Sequence, residues 1–144
     1  MKVVVYTGIL LLAVVLICGC TTVSQESGAV TAVIPDITGN WTGTMKAYDE
    51  DIGFNDVNGD TITLMVTEQQ DRIFSANVII TNESGYYWSN PVAGVIGRDG
   101  RTVTLVERGG GSSSGIIISP DEIELIFRYS GEPFSIAIDS LKKS

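Results

Sequence analysis

From residue 37 onward the chain is a succession of short segments rich in Ile, Val, Thr and aromatic side chains. They recur about every 8–14 residues, between clusters of Gly, Asn, Asp, Ser and Pro. Within most segments apolar and polar residues alternate, and period-2 alternation puts the two sets on opposite faces of an extended strand. No window of about 11 residues or more in this region carries an apolar stripe at the helical spacing of 3.6, so no substantial helix is expected there. The pattern limits the chain to an all-β fold.

Eight segments can be read with their faces. Segment 38–47 aims Trp41, Gly43 and Met45 one way, 61–68 aims Ile62, Leu64 and Val66, and 72–80 aims Phe74, Ala76, Val78 and Ile80. Segment 92–97 contributes Val92, Gly94 and Ile96, and 102–108 contributes Val103 and Leu105. Segment 115–118, Gly-Ile-Ile-Ile, gives period 2 no choice of face. Segment 122–129 offers Ile123, Leu125 and Phe127, and 134–139 offers Phe134, Ile136 and Ile138 against Ser135, Ala137 and Asp139. Asp99-Gly100 reads as a two-residue type I′ hairpin turn, and 68–71, 119–121 and 130–133 are short enough for hairpins. Gly109 to Ser114, GGGSSS, reads as a flexible connection. About eight consecutive antiparallel strands, each with one apolar face, can remove their exposed edges by closing into a small up-and-down β-barrel. A two-sheet β-sandwich is the alternative. On this assignment every inward side chain is apolar and no ionisable group faces the interior.

Gly39-Asn40-Trp41 opens the first strand. It resembles the Gly-x-Trp at the start of lipocalin, avidin and fatty-acid-binding barrels. The resemblance implies that Trp41 closes one end of a barrel beneath a basic side chain from a late strand, with Arg128 the first candidate and Arg108 the second. It also implies that the connection 48–60 is a lid. The sequence lacks the second lipocalin motif, Thr-Asp-Tyr, and has Thr42, Gly43 and Thr44 where avidins place biotin-gripping Asn and Ser. Biotin is therefore not implied.

The N-terminus has a different character. Lys2 precedes an apolar run from Val3 to Ile17, and Ile17-Cys18-Gly19-Cys20 follows. These residues resemble the lipobox of prokaryotic lipoproteins, with Cys20 as the lipid acceptor because Gly19 fills the small position before it. The resemblance implies a signal peptide over 1–19, a lipidated Cys20 with a linker over 20–36, and a β-barrel domain over 37–144. Localisation follows as a cell membrane, lipid-anchored, with the domain on the extracytoplasmic side. An uncleaved membrane helix is the alternative, and with Lys2 inside it leaves the domain on the same side. Cleavage before Cys20 would remove Cys18 and Lys2, leaving no second thiol for a disulfide and moving the net charge from −8 to −9.

Composition then narrows the function. With no histidine, the commonest general base and zinc ligand is missing. The acidic balance argues against nucleic acid, whose phosphates require clustered Lys and Arg. No nucleophile elbow, Ser-x-x-Lys or phosphate loop occurs, so no enzyme activity and no cofactor are expected. Asp56, Asn58 and Asp60 alternate like oxygen ligands for Ca²⁺, although Gly59 falls at the wrong loop position for an EF-hand and Asn58-Gly59 serves equally as a turn. Asn82 and Asn40 begin N-x-S/T sequons, of which Asn82, in a turn, is the better acceptor. Tyr86, Tyr87 and Trp88 are three consecutive aromatics that cannot all face a barrel interior. They either plug one end or recognise a ligand or partner, and Trp41 and Phe74 would join them in lining an interior site. The expected role is non-catalytic binding of a small lipophilic ligand or a surface protein, beside the membrane contact through Cys20. The alternatives are a solid-core interaction module, for envelope assembly or enzyme inhibition, and a carboxylate-based hydrolase.

Overall fold

The alternating segments form strands that pair in the order in which the chain lays them down. The computed structural model describes residues 32–56, 59–85 and 87–144, apart from the side chain of Asp56. Cys20, Asn58 and Tyr86 lie outside the described residues, as do all of 1–19 and most of 20–36. The strands are β1 (Gly39–Asp49), β2 (Gly53–Asp56), β3 (Thr61–Gln70), β4 (Ile73–Thr81), β5 (Tyr87–Ile96), β6 (Thr102–Glu107), β7 (Ser112–Ser119), β8 (Glu122–Tyr129) and β9 (Ser135–Lys143). Every pairing is antiparallel, and β1 pairs with β9 from Trp41↔Lys143 to Asp49↔Ser135. That last ladder closes the sheet into a barrel of eight strands, with β2 as one extra strand and no helix among the described residues.

The extra strand comes from the connection expected to be a lid. Residues 39–43 of β1 pair with β3, and residues 46–49 pair with β2, so the segment after β1 folds back as a hairpin. The Tyr48 ring meets Phe54 edge-on at 5.1 Å and stacks on Phe134 at 6.1 Å, which fixes this hairpin to the start of β9. Other turns also depart from expectation. Asp99-Gly100 sits inside a five-residue connection, not a two-residue hairpin. There the Asp99 carboxylate accepts from the backbone N–H of Arg101 and Thr102, each at 2.9 Å, and this side-chain turn replaces the I′ geometry. Of GGGSSS, only the glycines connect: Ser112, Ser113 and Ser114 belong to β7.

Strand direction alternates around the barrel, so connections collect at two ends. One end is closed. Trp41, Ile96, Ile123 and Leu141 are fully buried there, and residues 32–38 cross it as a strap. A bulge at Thr67 in β3 re-aims Gln69 toward the strap. Gln69 Nε2 donates to the Pro35 carbonyl at 2.9 Å, and its Oε1 accepts the Ile37 N–H at 2.9 Å. The Trp41 indole N–H donates to the Ile37 carbonyl at 2.8 Å, and Lys143 Nζ lies 5.1 Å from the ring centroid. The cation over Trp41 thus comes from β9. Arg128 instead donates to Ser114 Oγ at 2.9 Å.

The largest difference from the sequence reading is in β9, whose faces are reversed. Ala137, Asp139 and Leu141 are buried, while Phe134, Ile136 and Ile138 are 44–48% exposed. Residues paired across a ladder share a face, and β1 sets Met45 against Asp139 and Gly43 against Leu141. On the other side β8 sets Leu125 against Asp139 and Ile123 against Leu141. Both neighbours present their inward set to the odd-numbered residues of β9, so the richer apolar set faces out. The interior therefore contains a carboxylate, contrary to the expectation of a wholly apolar lining.

Candidate functional site at the open end

The barrel's other end gathers the connections after β1–β2, β4, β6 and β8, and among the described residues no strap crosses it. Tyr87 and Trp88 begin β5 here, and the residue 59 region comes near Glu83, so the aromatic segment and the 48–60 segment converge at one mouth. Below the mouth lies a cavity of about 100 Å³. Met45, Ile80, Trp88 and Phe127 are its partly exposed members, and Leu64, Leu105, Leu125 and Leu141 form its deeper wall.

Two carboxyl groups face into it. Asp139 is 3% exposed, and its Oδ1 has no hydrogen-bond partner among the described residues. Glu107, half-buried on β6, is met by Asn90 Nδ2 at 3.3 Å and by the Ser113 side chain. Asn90 also donates to the Arg108 carbonyl at 2.8 Å, which holds the amide at the rim. Burial pushes the Asp139 carboxyl up to about 7, and the charge of Glu107 adds to the rise. Burial likewise raises Glu107, against the two hydrogen bonds that favour its ionised form. The pair is arranged so that charge is shared reluctantly, with no basic side chain in the lining.

The residues singled out from sequence are distributed as follows. Trp88 lines the cavity mouth, and Tyr87 is 67% exposed outside it. Trp41 is fully buried at the closed end, away from the cavity lining. Phe74 is buried in the core with its ring filling the space over Gly94. The inward glycines leave no room of their own: a side chain at Gly43 would meet the Ser140 backbone, and one at Gly115 the Glu124 backbone. Asp60 is described, but the side chains of Asp56 and Asn58 are not, and no group of three His, Cys, Asp or Glu suited to a metal occurs among the described residues. Asn82 sits in the β4–β5 turn, its Oδ1 accepting the Ser84 N–H at 3.1 Å. Asn40 lies in β1.

Sequence reasoning missed Asp139, Glu107 and Ser113. The signal that could have found the first is Leu141: extending the last segment from 139 to 141 gives the Ala137–Asp139–Leu141 face a strong apolar member. Ser113 was hidden by its low-complexity neighbours.

No protein-family model matches the chain, and no curated protein matches it significantly in sequence. Solved structures do resemble it. A redesigned β-barrel superposes with a TM-score of 0.52 at 13% identity, over 74% of this chain and 90% of that one. The structure of EF1p2_mFAP2b bound to DFHBI superposes with a TM-score of 0.52 at 11% identity, over 74% of this chain and 93% of that one. At these identities the likeness is one of fold.

Proposed function

We propose that this chain is a membrane-tethered extracytoplasmic binding barrel that takes a small ligand with an apolar body through its open end, without catalysing a reaction. The observation that carries the reading is the cavity beneath Trp88, with a buried carboxyl oxygen left without a partner inside it. Buried polar groups are nearly always paired, and a carboxyl oxygen that faces a cavity offers an acceptor that a ligand's donor can satisfy. That a barrel of this fold is also found bound to DFHBI supports the reading. The volume sets the scale: about 100 Å³ is well below the roughly 300 Å³ at the low end of drug-sized pockets. The ligand is small, or inserts only its head.

The tether rests on the lipobox-like residues ending in Cys20. Labelling with a clickable fatty acid is expected to mark the wild-type chain and not Cys20→Ala. Label retained by the variant overturns the anchor. Native mass spectrometry of the protein purified from its own host is expected to show an added small mass, lost on Trp88→Ser. A chain that never carries such a mass, in any growth condition and with added lipophilic extract, overturns the ligand.

One observation favours a second reading. The reversed face of β9 places Ile136 and Ile138 beside Tyr48 and Phe54 in an open outer groove of about 490 Å³, and Phe54 is 91% exposed. Exposed apolar surface of this kind fits a protein partner. If Ile138→Asp abolishes co-purification of a partner while ligand binding persists, the outer wall is the functional face.

A further inference from the structure

The polar groups of the cavity are nearly all acceptors. Asp139 enters from β9 and Glu107 from β6, and Ser113 from β7 adds a hydroxyl. The side chains that β1, β3, β4, β5 and β8 present there are apolar or aromatic, and among the described residues Glu107 is the only other titratable group in the lining with Asp139. Lys143, the cation nearest the inward faces on β9, lies at the opposite end over Trp41. Above about pH 7, where Asp139 has lost its proton, a carboxylate or phosphate entering this cavity would meet like charge and no cation in the described lining. A ligand bearing N–H donors would supply what Asp139 Oδ1 lacks.

We infer that the open-end cavity selects a small primary amine, its ammonium held between Asp139 and Glu107 and its apolar body packed between the deep leucines and Trp88. This deepens the ligand-binding reading above and rests on it. The size agrees: a cavity of about 100 Å³ admits an ammonium and a few carbons, since an apolar cavity of about 150 Å³ holds benzene. A longer chain leaves through the mouth. Fatty acids, the natural guess for an apolar barrel, are disfavoured above about pH 7, where the ionised Asp139 repels their carboxylate. The carboxyl pair also makes affinity depend on pH. Asp139 must lose its proton to hold the ammonium, so binding strengthens as pH rises through its value near 7 while the amine stays charged.

The test compares three six-carbon probes on the full chain in nanodiscs at pH 7.5: n-hexylamine, hexan-1-ol and hexanoate, by isothermal titration calorimetry. Hexylamine is expected to bind at least tenfold more tightly than hexan-1-ol, and hexanoate not at all. Asp139→Asn is expected to erase the amine's advantage while hexan-1-ol affinity is unchanged or better, and Glu107→Gln to reduce it. Carbon NMR of the Asp139 carboxyl is expected to report a fall in its pKa when hexylamine binds. Equal affinity for amine and alcohol, or an undiminished amine preference in Asp139→Asn, overturns this inference and leaves the ligand-binding reading standing. Failure of all three probes to bind overturns this inference, and the ligand-binding reading falls with it only if native mass spectrometry also shows no added mass.

Discussion

The two tryptophans occupy opposite ends of the barrel, and the barrel treats them differently. Trp41 is fully buried, its N–H satisfied by Ile37 and its face covered by Lys143. Trp88 is 43% exposed at a mouth that leads to a cavity with an unpartnered carboxyl oxygen. The closed end satisfies its polar groups: Gln69 is used on both sides of its amide to fasten residues 35 and 37. The open end leaves an acid buried and space unfilled. A fold of this size has a small margin of stability, so a costly arrangement confined to one end marks that end as the place where something else is accommodated.

Substitutions and pH test this difference between the two ends. The largest expected effect is at the closed end, where Trp41→Ala removes the main core aromatic. A loss of about 3–5 kcal/mol in urea unfolding is expected, and a loss below about 1 kcal/mol would deny that this end holds the barrel together. The pH dependence of stability probes the open end. The folded protein keeps the Asp139 proton up to about pH 7, whereas the unfolded chain releases it near 3.8. Over that window the unfolded state binds fewer protons, so stability falls as pH rises. At about 1.4 kcal/mol per pKa unit, the fall is on the order of 4 kcal/mol, and the rise in Glu107 adds in the same direction.

Asp36 and Asp99 work the other way. Backbone hydrogen bonds from Thr38, and from Arg101 and Thr102, hold them below the usual carboxylate range, so their contribution is lost only below about pH 4. Thermal melts should therefore be highest near pH 4–5 and decline toward pH 8. In Asp139→Asn the decline should flatten, with a gain of about 1–3 kcal/mol at pH 8 from removing a buried charge. A wild-type profile that rises from pH 5 to 8 would contradict the buried acid.

Smaller effects compare the ends directly. Trp88→Ser is expected to cost about 1–2 kcal/mol, well under Trp41→Ala, because only part of its ring area is removed from water. A cost equal to that of Trp41 would make Trp88 a plug rather than a gate. Lys143→Met is expected to cost about 0.5–1 kcal/mol from the cation over the Trp41 face, read in the same denaturation series.

The sequence made the barrel legible because alternation is a local property. The inward sets of β1, β3, β4, β5, β6 and β8 are the ones that period 2 picks out, from Trp41 through Val103 to Leu125. It also located the mouth aromatics, since Trp88 lies too close to Tyr87 in the chain for both to point inward. β9 resisted because both of its faces carry apolar residues, Ile136 and Ile138 on one and Ala137 and Leu141 on the other. Counting hydrophobicity chose the wrong one.

What the sequence alone determined, then, is that strands form, roughly where most of them lie, and that closing the sheet is one way to bury one face of each. These follow from side-chain alternation and turn chemistry, which neighbouring residues carry between them. The tertiary structure decided the face of β9, the hairpin made by β2, the bulge that turns Gln69 to the strap, and the meeting of Asp139 with Glu107. Each of these depends on register between segments far apart in the chain, and a shift of one residue in register exchanges the inside of a strand for its outside. The acid pair at the heart of the proposed site exists only because ladders from β1 and β8 fixed that choice together.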